Sequence, residues 1–143
     1  MIENERQYAV TKKRIAQFEA SLASLRTTSA PTKLPPRLHR AMRESIESQL
    51  ADLRREVAEY EALKAQQVST LELHSLSDLP DLLIKARIAR GYTQAELARR
   101  LRLKTQQIQR YEATRYYAVS FRRLLEIARA LEVDVHDTVS LSQ

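Results

Sequence analysis

The chain has no cysteine and a single glycine among its 143 residues. Each shortage closes off a class of chemistry. Without cysteine there is no disulfide framework, no thiolate zinc site and no thiol nucleophile, which suits a reducing compartment. One glycine cannot build a phosphate-cradling P-loop or a dinucleotide fingerprint, both of which repeat that residue. His39, His74 and His136 lie far apart and outside any H-E-x-x-H pattern, so they read as ordinary surface histidines rather than metal ligands. No pair of carboxylates is marked out for acid–base work. Neither catalysis nor a cofactor or metal is expected. The opening residues MIENERQYAVTKK lack an apolar signal core, and no run approaches the length needed to span a bilayer. A cytoplasmic protein of bacterial type, with no membrane segment, is expected.

What is abundant favours helix. Ala, Leu, Arg, Glu and Gln dominate, only four prolines interrupt them, and an all-α fold follows. The length suits one domain, or one small domain with a helical extension. The net charge of +6 is unevenly spread. Between Lys85 and Arg123 the basic residues are Lys85, Arg87, Arg90, Arg99, Arg100, Arg102, Lys104, Arg110, Arg115, Arg122 and Arg123, against Glu96 and Glu112 alone. That window nets +9, and its flanks turn acidic at Asp78, Asp81, Glu126, Glu132, Asp134 and Asp137. Such a concentration is the footprint of a phosphate-binding face; without a motif inside it, a solvated helical surface would explain it equally well.

In the N-terminal half, Tyr8, Thr11, Ile15, Phe18, Leu22 and Leu25 recur three and four residues apart, the heptad seam of a helix over residues 3–26, imperfect at Thr11. TTSAPTKLPP, residues 27–36, is a connector. A second helix from Arg37 to about Lys64 carries Leu38, Met42, Ile46, Leu50, Leu53, Val57, Tyr60 and Leu63 on one side. The short connector makes the pair an antiparallel hairpin, assigned to residues 1–68. Two helices alone have little core, so the hairpin is expected to dimerise or to bind a protein through Ile15, Phe18, Leu22, Ile46, Leu50, Leu53, Val57 and Tyr60. The alternative is a hairpin that only buttresses its own chain. Residues 69–78 lack a helical period and form a linker, with a short extended piece available at 70–73.

From Leu79 to Arg90 a helix admits Pro80 in its first turn and turns Leu82, Leu83, Ala86 and Ile88 or Ala89 inward. Gly91 follows at a C-cap position. Thr93 and Glu96 then form a T-x-x-E capping box that starts a helix at Gln94, with Ala95, Leu97, Ala98 and Leu101 on its buried side. A second helix restarts near Lys104 or Thr105 with Ile108 and Tyr111 inward. Lys104, Thr105, Gln106, Gln109 and Arg110 stay outward. These are the residue types that read DNA: glutamine pairs with an adenine edge through two atoms, and arginine does the same to guanine. Tyr92, Tyr111, Tyr116 and Tyr117 lie among basic residues, where base stacking on single strands is the competing use. Tyr111 fits the core better, while Tyr116 or Tyr117 can give a hydroxyl to phosphate or pack on the next helix. Ser120 is placed to cap a helix carrying Phe121, Leu124, Leu125, Ala128 and Leu131, and Asp134 a last short helix containing Val135 and Val139.

The stretch Thr93–Glu112 resembles the helix-turn-helix of the lambda repressor and Cro-like (xenobiotic-response-element) regulators. The match runs through Gln94, Ala98, Leu101, Leu103 and Ile108, and with flanking helices covers roughly residues 79–139. Two positions depart from the pattern: Arg102 stands where the turn usually has glycine, and Lys104 where Ser or Thr often caps, leaving Thr105 as a cap displaced by one. The resemblance implies a five-helix domain over residues 79–143 that binds a double-stranded DNA operator. Thr105, Gln106, Gln109 and Arg110 would meet base edges, and Gln94, Arg102, Lys104, Arg115 and Tyr117 would hold phosphates. One recognition helix reads few base pairs, so a homodimer on half-sites about 34 Å apart is expected. The architecture further resembles HigA-like antitoxins, which repress their own operon and bind a toxin. A stand-alone phage-type repressor is the alternative, as is a helical adaptor whose turn, distorted by Arg102 and Lys104, has lost DNA affinity.

Overall fold

A computed structural model describes residues 1–27 and 35–142 of the chain, which divides into two compact units, Met1–Leu63 and Lys64–Gln143. The first contains α1 (Glu5–Thr27) and α2 (Pro36–Lys64). Asn4 Oδ1 accepts the Gln7 amide at 2.9 Å and so caps α1. Pro36 occupies the first position of α2, where its missing N–H is no loss. Of the expected connector, residues 28–34 lie outside the described residues. The helices are antiparallel, because partners run in opposite numerical order: Tyr8 Oη donates to Glu61 at 2.6 Å, Arg54 Nη2 to Glu19 at 2.8 Å, and His39 Nε2 lies 3.2 Å from the Leu25 carbonyl.

The hairpin's seam is its own core. Leu50, Leu53, Val57, Tyr60 and Leu63 of α2 are buried, with Ile2, Thr11 and Leu22 opposite them. Thr11 sits in this apolar row because its hydroxyl donates to the Gln7 carbonyl at 2.9 Å, inside its own helix. The expected partner-facing set therefore needs correcting. Leu22, Leu50, Leu53, Val57 and Tyr60 are consumed within the hairpin, and only Ile15, Phe18 and Ile46 keep part of their surface, beside exposed Leu38 and Met42.

The second unit holds α3 (Leu79–Ala89), α4 (Gln94–Arg100), α5 (Thr105–Ala113) and α6 (Phe121–Ala130), with a 3-10 turn at Leu76–Asp78 and no strand among the described residues. The segment expected as a linker falls within this unit, since Leu71 and Leu73 are half-buried and Ser75 and Asp78 cap the turn reciprocally. Its core is Leu83, Ile84, Leu97, Ile108, Ile127 and Leu131. Some expected inward positions do not belong to it: Ala95 is exposed and Leu101 only half-buried, and on α6 Ile127 is buried while Phe121 and Leu125 face outward.

All four helices end alike. After α3, Gly91 donates to the Ile88 carbonyl and Tyr92 to that of Arg87, at 2.9 and 3.1 Å, the crossed pair of a Schellman motif. The same pattern closes α4 at Arg102, α5 at Arg115 and α6 at Glu132. Each of these residues takes a left-handed backbone, with φ of +73° at Gly91, +56° at Arg102, +53° at Arg115 and +54° at Glu132. Three of the four ends thus hold a side chain where glycine is cheapest, at roughly 1 kcal/mol each.

The expected fifth helix does not form. Residues 133–142 have no regular structure, and Asp134 caps nothing. The physical reason lies in their spacing: Val133 and Val135 are two apart, as are Val139 and Leu141, with polar His136, Asp137 and Thr138 between the pairs, so no apolar stripe of helical period runs through the segment.

Candidate nucleic-acid interface

The helix-turn-helix is set by local chemistry at three points. At the start of α4, the Thr93 amide donates to Glu96 Oε2 at 2.6 Å and the Glu96 amide to Thr93 Oγ1 at 3.1 Å, completing the expected box. The Thr93 backbone donor holds the Glu96 carboxyl below the usual carboxylate range, helped by the Thr93 hydroxyl and by Arg99 and Arg100. In the turn, Arg102 accepts the positive φ that its departure from glycine demanded. At the start of α5, Lys104 is the N-cap and offers no oxygen, but Gln107 Oε1 accepts its amide at 3.0 Å. Thr105 is consequently the first helical residue, not a displaced cap, and Gln107 is occupied with the helix end rather than left to face a ligand.

α4 and α5 pack directly on one another, and a buried polar network ties them to α3. Arg87 Nε and Nη2 donate to the two oxygens of Glu112 at 2.5 and 3.1 Å, while Arg87 Nη1 reaches the Tyr92 carbonyl at 2.9 Å. Gln94 Nε2 donates to Glu112 Oε2 at 2.7 Å. With Arg87 3% and Glu112 1% exposed, the pair is fully desolvated, and its geometry is the bidentate one that such burial requires. Arg87 and Glu112 thus leave the surface charge of the basic window, while half-buried Gln94 engages Glu112 through its side-chain amide. The signal was present in the sequence: Arg87 stands three and four residues after the core positions Ile84 and Leu83, and Glu112 four after Ile108, so two opposite charges lay on buried stripes.

What remains outward is one polar, cationic face. Gln106, Gln109 and Arg110 are exposed on α5, Thr105 is half-buried at its first turn, and Arg102 and Lys104 are exposed in the turn before it. The side chains of Arg102, Lys104, Gln106, Gln109 and Arg110 make no polar contact among the described residues. Arg100 stacks over the Tyr92 ring at 4.2 Å. Other cations of the window are engaged: Arg90 donates to the Leu131 and Glu132 carbonyls, Arg123 pairs with Glu126, and half-buried Arg115 lies 3.5 Å from Asp81. The tyrosines divide cleanly. Tyr117 is 84% exposed, whereas Tyr116 is buried and its hydroxyl has no hydrogen-bond partner among the described residues, so of these two Tyr117 is the one that can present a hydroxyl outward. Burial, reinforced by the Glu112 charge, pushes the Tyr116 phenol well above its usual range. Tyr111, half-buried, meets the Tyr116 ring at 6.3 Å between centroids.

No three His, Asp or Glu side chains among the described residues are placed to hold a metal, and no described helix is long and apolar enough to cross a membrane. Two short packed helices, a tight turn and an outward polar face define a helix-turn-helix unit of the kind DNA-binding transcription regulators carry. A family model described as helix-turn-helix matches residues 83–137, the part of the chain that holds α4, the turn and α5. Neither a curated protein nor a solved structure matches the chain.

Proposed function

We propose that the protein is a sequence-specific transcriptional repressor that lays α5 in the major groove of an operator. The observation that carries this reading is the open face of α5: Gln106, Gln109 and Arg110 point to solvent without internal partners, on a helix locked from behind by Arg87, Glu112 and Gln94. Gln106 and Gln109 suit adenine edges, Arg110 suits guanine, and Thr105 stands close by. Arg102, Lys104 and Tyr117 grip phosphates on either side, with Arg115 at the rim. The adaptor alternative needed a turn distorted by Arg102 and Lys104. The turn closes with both residues in place, which supports the repressor over the adaptor.

Useful specificity asks for two recognition helices, hence a homodimer on paired half-sites. The narrower reading is an autoregulating antitoxin whose hairpin holds a toxin. A separate helical unit with exposed Leu38 and Met42 supports it. The test is binding of the purified protein to the duplex upstream of its own coding sequence, titrated at several salt concentrations. A complex that resists unrelated competitor DNA and weakens steeply with salt is expected; none, or one indifferent to sequence, refutes the repressor.

A further inference from the structure

The antiparallel register of the hairpin leaves the first turns of α2 without a partner. One residue past the seam positions Phe18 and Leu25, α1 carries Glu19 and Arg26; one past Ile46 and Leu53, α2 carries Glu47 and Arg54. These charges close across the helices, Arg54 Nη2 on Glu19 at 2.8 Å and Arg26 Nη2 on Glu47 at 3.5 Å. Seven residues forward on α1 is thus seven back on α2, as in an antiparallel coiled coil. Carried to its end, that register sets Thr27, the last residue of α1, level with Ile46. Residues 36–45 therefore run on with no residue of α1 opposite them, which is why Leu38 and Met42, one turn apart, stay 46% and 40% exposed.

The charge of this overhang is a second observation, independent of the first. Residues 36–45 hold Arg37, Arg40 and Arg43 against the single carboxylate of Glu44. Arg43 lies 3.8 Å from Glu47 and His39 3.2 Å from the Leu25 carbonyl, but Arg37 and Arg40 are exposed and make no polar contact among the described residues. The first turn of α2 has no acidic residue. Cations at the N-terminal end of a helix oppose its dipole, so this end is unfavourable as it stands and gains from any negative charge brought to it. We propose that residues 36–45 dock an acidic, amphipathic segment of a partner protein, with its carboxylates on Arg37 and Arg40 and its apolar side on Leu38 and Met42. Charge selects the occupant. A second copy of the overhang would set Arg37 and Arg40 against their own kind, and a phosphate backbone would use the arginines but leave Leu38 and Met42 bare. Two apolar side chains are too narrow a face to enter a lipid surface. The inference rests on the reading that the hairpin holds a protein and adds the chemistry of that protein; it is independent of the DNA-facing helix.

Fluorescence anisotropy tests it: a labelled amphipathic helical peptide, leucine on one side and glutamate along its margins, is titrated with the full chain, beside the same peptide carrying glutamine or lysine in place of glutamate. The glutamate peptide should bind tightest and the lysine peptide weakest, and the glutamate complex should weaken with salt. Arg37→Glu with Arg40→Glu should weaken it at least about tenfold, and Leu38→Ser with Met42→Ser by about as much, both with unchanged helical circular dichroism. Arg6→Glu with Lys13→Glu, which reverses two exposed cations elsewhere in the hairpin, should bind as the unaltered chain does. No binding of any peptide, equal binding of all three, overhang variants that bind like the unaltered chain, or an equal loss in the Arg6 and Lys13 variant would each overturn the proposal. Loss with Leu38 and Met42 but not with Arg37 and Arg40 would overturn the acidic occupant and leave standing a hairpin that holds a protein. Vesicles rich in phosphatidylglycerol that bind through the same four residues while no peptide does would overturn both and assign the overhang to a lipid surface.

Discussion

The two units are both helical, yet they are held together by different means. In the hairpin a single stripe on α2 meets α1, and the cross-links around it are solvent-facing ion pairs such as Arg54–Glu19, together with the stacked rings of Tyr8 and Tyr60, 5.1 Å apart. Exposed ion pairs of that kind contribute about 0–1 kcal/mol each. In the helix-turn-helix unit six large apolar side chains are sealed completely around a buried Arg–Glu pair, and every helix ends in the same capped turn. The difference teaches where rigidity is needed. Under the proposed function, a helix that must present three side chains to a groove together has to be fixed in position, and the sealed core and buried pair behind α5 supply that fixing.

The largest expected effect comes from the buried pair. Glu112→Ala strands the Arg87 charge without water or partner and should cost about 3–5 kcal/mol, enough to unfold a unit of this size. Hydrogen exchange should show α3 to α6 losing protection while α1 and α2 keep theirs; equal loss in both units would erase the contrast. Leu50→Ala in the hairpin should cost less, about 2–3 kcal/mol, because neighbouring surface already meets solvent and can close over the gap. The protection lost should be confined to α1 and α2.

Tyr116→Phe sharpens the comparison in the other direction. The hydroxyl is buried and unpaired, so its removal should leave stability at neutral pH unchanged or raise it by about 1 kcal/mol. The pH dependence is equally specific. Because the folded chain holds the phenol's proton more tightly than the unfolded chain does, stability from this source is complete below the ordinary tyrosine range and falls as pH rises above about 10. Tyr116→Phe should lose that alkaline fall in thermal melts; an unchanged profile would show that the phenol is not its origin. Smaller still is Arg102→Gly, which relieves the left-handed turn and should raise stability by up to about 1 kcal/mol while weakening DNA binding at low salt. A drop in stability would mean that the Arg102 side chain, not its backbone, holds the turn.

Much of this was legible in the residues. Thr93, Glu96 and Gly91 announced helix boundaries through local chemistry, and the helices appear where these residues require them. The outward position of Gln106, Gln109 and Arg110 followed from the inward period of Ile108. Less legible were the features that depend on what lies across the core. Nothing local to Gln94 says that Glu112 waits 18 positions later to engage its amide, and nothing local to Leu50 says whether α1 or another chain will cover it. Helical spacing also misled at Val135 and Val139, whose i, i+4 interval has only polar His136, Asp137 and Thr138 between them and no apolar stripe continuing beyond.

The most direct test of the central claim compares Arg110→Ala with Lys104→Ala on the protein's own upstream duplex and on single-base variants of it, across a salt series. Arg110→Ala should lose about 1–3 kcal/mol of affinity, with preference erased at one base pair and the salt slope little changed; Lys104→Ala should weaken every sequence alike and flatten the slope by about one. Indistinguishable behaviour of the two variants would contradict the assignment of base reading to α5 and phosphate grip to the turn before it.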